Sequence, residues 1–314
     1  MADAPKKRSE TDGKPQPVLT RLDEVMAQNA WHPRLAPFGM YIVMLVVVQS
    51  ATEHLDPRIY PFVYTLQCAL VVWLLWRYRK LTPELTVRFH WLAVPVGVGV
   101  LVAWILLGWT MAGEFSQRWT ALVQEGRWLG RIEYPRDGAP YFATTEVHFL
   151  ATMRDESPGF YWASNILRLL GMSIVVPLFE ELFVRSLILR SMSRRRQTGI
   201  GLLQVLTDMP LIGDWLTSTK RGQEAAEHPP VFGAEFDVNK LGVLTGFGVF
   251  ASTLVFTLSH GMRDWPGCVV CGVAYCVLLA ATRHKGLGPV AWAHGITNAL
   301  LWWYTLGTED WQFL

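Results

Sequence analysis

Apolar residues along this chain fall in blocks rather than evenly. Seven blocks are long enough to cross a bilayer, which takes about 20 helical residues. They are Leu35–Thr52, Ile59–Trp76, Phe89–Gly113, Phe160–Arg190, Leu241–Met262, Trp265–Thr282 and Gly286–Gly307. A shorter block, Thr198–Gly213, contains Asp208 and leaves an eighth, re-entrant or surface helix open. The pattern predicts an all-α, polytopic transmembrane bundle of seven or eight spans.

The polar stretches divide the chain. Residues 1–34 read as a disordered cytoplasmic tail, and no apolar run directly after Lys6, Lys7 and Arg8 suggests a cleaved signal peptide. Residues 35–159 hold the first helices and a long loop, and residues 160–314 form the second half, with a polar insertion at 197–240. There are no internal repeats. Basic residues gather in the second loop (Arg77, Arg79, Lys80, Arg88, against the one acid Glu84) and after the fourth block (Arg190, Arg194, Arg195, Arg196). The positive-inside rule makes these loops and the N-terminus cytoplasmic, and the loop around Glu114–Gly159 extracytoplasmic. The expected location is an inner, cytoplasmic membrane, with the lipid bilayer as a partner.

Composition adds three points. Only 17% of residues are charged, against about a quarter in a soluble domain. A net charge of +2 gives no bias towards nucleic acid. Many of the fifteen Trp flank apolar blocks, as in an interfacial aromatic belt. Cys268 and Cys271 form a CxxC, but no second pair completes a zinc site, so packing between helices explains them.

Ionisable groups inside a bilayer are costly and ask for a reason. The fourth block carries Glu180, Glu181 and Arg185. Glu181 and Arg185, at i and i+4, suit a structural ion pair. Glu180 points about 100° away and lacks that partner. Pro177 cannot donate to Ser173 and opens the helix one turn earlier. The fifth block ends Phe256-Thr-Leu-Ser-His260, and the seventh holds His294 and Asn298 at i, i+4. Each group alone has a structural explanation; a carboxylate, two histidines and an amide on three spans is harder to explain by packing.

Together they could hydrolyse a peptide bond. Glu180 suits the base that activates water, and a histidine can share the proton. A His–Asn pair one turn apart offers two donors to an oxyanion. Zinc held by Glu180, His260 and His294 is the alternative, although HExxH is absent.

The three motifs, Glu180-Glu181-Leu-Phe-Val-Arg185, Phe256-Thr-Leu-Ser-His260 and His294-Gly-Ile-Thr-Asn298, resemble in order the CPBP family of CAAX- and bacteriocin-processing intramembrane proteases. The match covers about Ile166–Gly307. The resemblance implies Glu180 as base, His260 assisting, His294 and Asn298 as oxyanion stabilisers, and Glu181, Arg185 and Phe256 as supporting residues. It implies a membrane-embedded protein or peptide substrate; the family has been described both as metalloprotease and as glutamate protease, and the metal-free glutamate mechanism is the one expected here. The final residues, Gly307–Leu314, resemble an exosortase-associated branch, with an exosortase-system partner.

Two competing readings are a non-catalytic binding or immunity module of the same fold and a proton-coupled transporter. Intact motifs disfavour the first, and polar groups confined to one half disfavour the second. Simple span geometry creates a tension. His260 lies ~28 Å into its block and His294 only ~12 Å into its own, at ~1.5 Å per residue, which puts them near opposite faces. For them to meet, the fifth helix is expected to start after Leu241 and run past His260 towards Trp265.

Overall fold

The computed structural model describes residues 18–51, 57–110, 153–193, 195–207, 212–228, 239–261 and 264–308. Most of the long third loop, Asp208, Arg194, the prolines at 229 and 230 and the last six residues lie outside them. Every regular element among the described residues is helical.

The polar N-terminal stretch is not all tail. Helix α1 (Val18–Gln28) forms, and α2 (His32–Ala51) begins ahead of the apolar block. Leu22 and Met26, four apart, lay an apolar stripe of α1 on Leu74 and Tyr78 near the end of α3 (Tyr60–Arg77). Asp23 accepts two hydrogen bonds from Arg77, at 2.9 and 2.6 Å. The low hydrophobicity of this stretch concealed one good face.

Helix α4 (Ala93–Thr110) follows the second loop. The fourth block is one long helical run with changes of pitch: α5 (Pro158–Leu170), a π turn (Gly171–Val175), α6 (Val176–Glu181), a second π segment (Leu182–Ile188) and α7 (Leu189–Ser191). Of residues 198–213, the described ones fall in α8 (Arg195–Thr207) and α9 (Ile212–Thr217), which pack with α10 (Lys220–Ala226), while residues 208–211 lie outside the described residues.

Helix α11 (Gly246–Leu258) starts where Thr245 caps Gly248 N at 3.1 Å. It therefore begins after Leu241, as geometry required, but it stops at Leu258 instead of running past His260. Helices α12 (Trp265–Thr282) and α13 (Gly288–Thr308) complete the chain.

The core gathers around the fourth block, with Phe179, Leu182, Leu187 and Leu189 buried against α2, α11, α12 and α13. Helix α4 lies across α12 and α13. It approaches so closely that a Cβ on Gly97 would lie 2.7 Å from the Ala293 carbonyl oxygen. The outer surface is apolar in stripes at helical spacing. Val94, Val98, Val102 and Leu106 are exposed on α4, Trp162, Ile166 and Leu170 on α5, and Phe250, Leu254 and Leu258 on α11. Among the described residues one helix, Trp265–Lys285, is long and apolar enough to cross a membrane, and three shorter apolar ones accompany it.

An ionic cluster ties one end of the bundle together. Arg34 grips Glu84 with two parallel hydrogen bonds, 2.6 and 2.9 Å, in a nearly buried pair. Ser186 also donates to Glu84 Oε1. Arg190 lies 3.7 Å from the same oxygen and donates to Asn239 O at 2.8 Å. One loop carboxylate thus joins α2, the fourth block and the segment leading to α11.

Candidate active site

Glu180 and Glu181 end the single α turn between the two π segments. Consecutive helical residues diverge by about 100°, so the carboxylates take different surroundings. Glu181 is fully buried and Glu180 partly exposed. Glu181 Oε2 lies 3.2 Å from Arg185 Nε, the i, i+4 pair expected from the sequence. That approach is off-axis, and no guanidinium nitrogen has an aligned hydrogen-bond acceptor among the described residues. The charge instead lies over the rings of Phe256, at 4.9 Å, and Tyr275, at 5.6 Å.

Glu181 does more than hold its own helix. His294 on α13 donates from Nδ1 to Glu181 Oε1 at 2.8 Å. The ring sits 5.5 Å from the Tyr275 ring and 6.1 Å from that of Phe256, and Tyr275 is itself held by Thr297 at 2.8 Å. With Nδ1 engaged, Nε2 is directed at Glu180, 3.7 Å from Oε2. That oxygen is buried and has no hydrogen-bond partner. Arg185, Glu181, His294 and Glu180 therefore form one chain of contacts, from a buried cation to a carboxylate at the edge of the core. Fixing one imidazole nitrogen with a carboxylate selects the tautomer and orients the other nitrogen.

His260 follows the end of α11, where Ser259 closes the helix and His260 N bonds to Thr257 O at 3.1 Å. Its Nδ1 donates to Phe256 O at 2.8 Å, which leaves Nε2 as the remaining ring nitrogen. The Phe256 ring lies 4.5 Å from His260 and 6.1 Å from His294, so the two imidazole centroids are at most about 11 Å apart. The histidines lie on the same side of the bundle rather than at opposite ends. The late start of α11, at Gly246 rather than Leu241, brings this about by shortening the helical rise to His260 by about 8 Å at ~1.5 Å per residue. Phe256 is in ring contact with both.

Asn298 is not aimed at Glu180. Its Nδ2 donates to the Met172 carbonyl in the first π turn, at 2.9 Å. Phe256 covers Arg185, Arg185 faces Glu181, and Glu181 holds His294. The sequence pattern contained no sign of the Glu181–His294 bond, because the two residues are 113 positions apart.

Of the zinc set named from the sequence, Glu180 and His294 face each other, and His260 has Nδ1 engaged by Phe256 O. Among the described residues no three His, Cys, Asp or Glu side chains gather around one point.

Set against known proteins, the chain matches no protein-family model, no curated protein and no solved structure.

Proposed function

We propose that the chain is a multi-pass membrane protein of the CPBP type and acts as an intramembrane endopeptidase. The observation that carries the proposal is the Arg185–Glu181–His294–Glu180 chain, which joins two of the three motifs in one buried site. A soluble packing role gives no reason for so many ionisable groups in an apolar core.

The membrane reading rests on the exposed apolar stripes. Soluble monomers rarely expose contiguous apolar patches beyond a few hundred Å². Seven helices are proposed as spans. They are α2, α3, α4, the composite helix from Pro158, α11, α12 and α13. The proposed setting is an inner, cytoplasmic membrane with a cytoplasmic N-terminus.

Glu180 is the proposed base, since its carboxylate is the less buried of the two and faces His294 Nε2. It takes a proton from water as the water oxygen attacks the scissile carbonyl, and when the tetrahedral intermediate collapses the C–N bond breaks and that proton passes from Glu180 to the leaving amine. His294 Nε2 faces the same place and stabilises the oxyanion that forms. Because Glu181 takes the Nδ1 proton, donation from Nε2 requires a ring carrying both protons. His260, held by its Nδ1 bond to Phe256 O, assists. Asn298 is a second oxyanion donor through the amide hydrogen that Met172 does not use. The substrate is a membrane-associated protein or peptide.

One observation favours the alternative, a non-catalytic binding or immunity module: His260 packs on Phe256 and Trp104 and gives Nδ1 to Phe256 O, contacts that suit a structural histidine. Proteolysis in reconstituted membranes separates the two. Wild type, Glu180→Gln and His260→Ala are compared on a panel of native membrane proteins, with and without a chelator. Cleavage lost in both variants supports the peptidase, and loss on chelation alone would bring zinc back. A panel left uncut, with variants indistinguishable from wild type in cells, leaves the binding module.

A further inference from the structure

The helix that carries Glu180 departs from α geometry just ahead of it. In the π turn Gly171–Val175, Val176 N donates to Gly171 O, five residues back. In an α-helix that N–H would serve Met172 O. The next residue in the π pattern able to serve Met172 O is Pro177, which has no N–H. Pro177 is also the α partner of Ser173 O. The π turn and the proline together withdraw both regular donors from Met172 O and the α donor from Ser173 O.

Both carbonyls face α13. Asn298 Nδ2 donates to Met172 O at 2.9 Å. Gly295, three residues earlier, lies so close to Ser173 O that a Cβ there would be 2.3 Å from it. The missing side chain at 295 permits the approach, and the amide at 298 uses it. A buried carbonyl without a donor is costly, so the partnership has a physical reason.

We infer that Asn298 is a positioning residue for Glu180. By donating to Met172 O it holds the π turn open, and the π turn sets the rotation of the one α turn bearing Glu180 and Glu181. A π turn inserts one residue, which rotates everything beyond it by about 100° relative to continuous α-helix. Were Gly171–Val175 to close into α-helix, Glu181 would turn away from His294 and Glu180 would leave Nε2. The inference deepens the peptidase proposal and rests on it for its kinetic part, while its structural part stands without it.

The test is a double-mutant cycle on the full-length protein, purified in detergent and reconstituted. Its members are wild type, Asn298→Ala, Pro177→Ala and the double variant, with Asn298→Asp alongside. Thermal midpoints are read first. Then kcat and KM are measured on a transmembrane peptide taken from a native membrane protein that wild type cleaves. An alanine at 177 restores an N–H to the helix and relieves the carbonyl that Asn298 serves. In the wild-type background Asn298→Ala should lower kcat about 100-fold, as a small misplacement of a catalytic group does, with KM little changed. In the Pro177→Ala background the same substitution should cost less than about fivefold, by the non-additivity expected of coupled groups. Asn298→Asp keeps the shape but its carboxylate cannot donate, and it should behave as alanine does. Equal losses in the two backgrounds would overturn the inference and leave Asn298 as an oxyanion donor only. If wild type cuts nothing, the peptidase reading fails while the clamp is judged on the midpoints: non-additive losses uphold it, additive losses overturn it.

Discussion

Glu181 offers one carboxylate oxygen to His294 and turns the other towards Arg185, so the imidazole on α13 is oriented by a buried ion pair on another helix. His294 thereby presents Nε2 to Glu180. The two adjacent glutamates have different surroundings: Glu181 is fully buried and holds the site, and Glu180, the less buried of the two, is the proposed base.

That division predicts different costs for the same change. Glu181→Gln leaves Arg185 as an uncompensated buried cation, which should cost about 3–5 kcal/mol of stability. Glu180→Gln removes a partly exposed carboxylate with no hydrogen-bonded partner and should change stability by less than about 1 kcal/mol while abolishing cleavage. Thermal unfolding in detergent, read beside activity, checks both. Equal destabilisation by the two would contradict the assignment.

Phe256 packs its ring over Arg185 and is buried. Phe256→Ala should cost about 3–5 kcal/mol from the cavity alone, before any loss of the ring–cation contact. Phe256→Tyr keeps the ring and should retain most of that stability. Denaturation midpoints of the two variants decide whether the ring or the motif position matters.

Gly295→Ala places a methyl against the Ser173 carbonyl and should destabilise by about 1–3 kcal/mol through overpacking. Gly99 on α4 has nothing within 4 Å of an added Cβ, and Gly99→Ala should be neutral or slightly stabilising. A measured order opposite to this would contradict the close approach of α13 to the first π turn.

Glu84 yields a pH prediction. Burial raises its pKa, but hydrogen bonds and charge from Arg34, with the Ser186 hydroxyl, outweigh burial and hold it below the usual carboxylate value. A depressed carboxylate contributes stability that is fully present above its unfolded pKa of about 4.3 and is lost as pH falls towards the folded value. The midpoint of wild type should therefore drop on acidification below about pH 5, and part of that drop should be missing in Glu84→Gln. At neutral pH the variant should already be weaker by about 3 kcal/mol, since Arg34 loses a nearly buried partner. A pH series of thermal scans on both proteins is the check.

Much of this protein is governed by relations within a single helix, and the sequence determined those. The i, i+4 spacing put Glu181 beside Arg185 and His294 on the face of Asn298. Apolar blocks marked most of the long helices, and Pro177 marked a break in one of them. These are local relations, set by a fixed rise and rotation per residue. What joins one helix to another was decided only by the tertiary structure. The Glu181–His294 bond, the grip of Arg34 on Glu84 and the meeting of Asn298 with Met172 depend on which faces meet and at what depth. Depth in turn follows from where α11 starts and from a π turn that shifts the rotation of all that follows. Neither leaves a periodic signal in the chain, because each is settled by competition between local hydrogen bonds and partners far away in sequence.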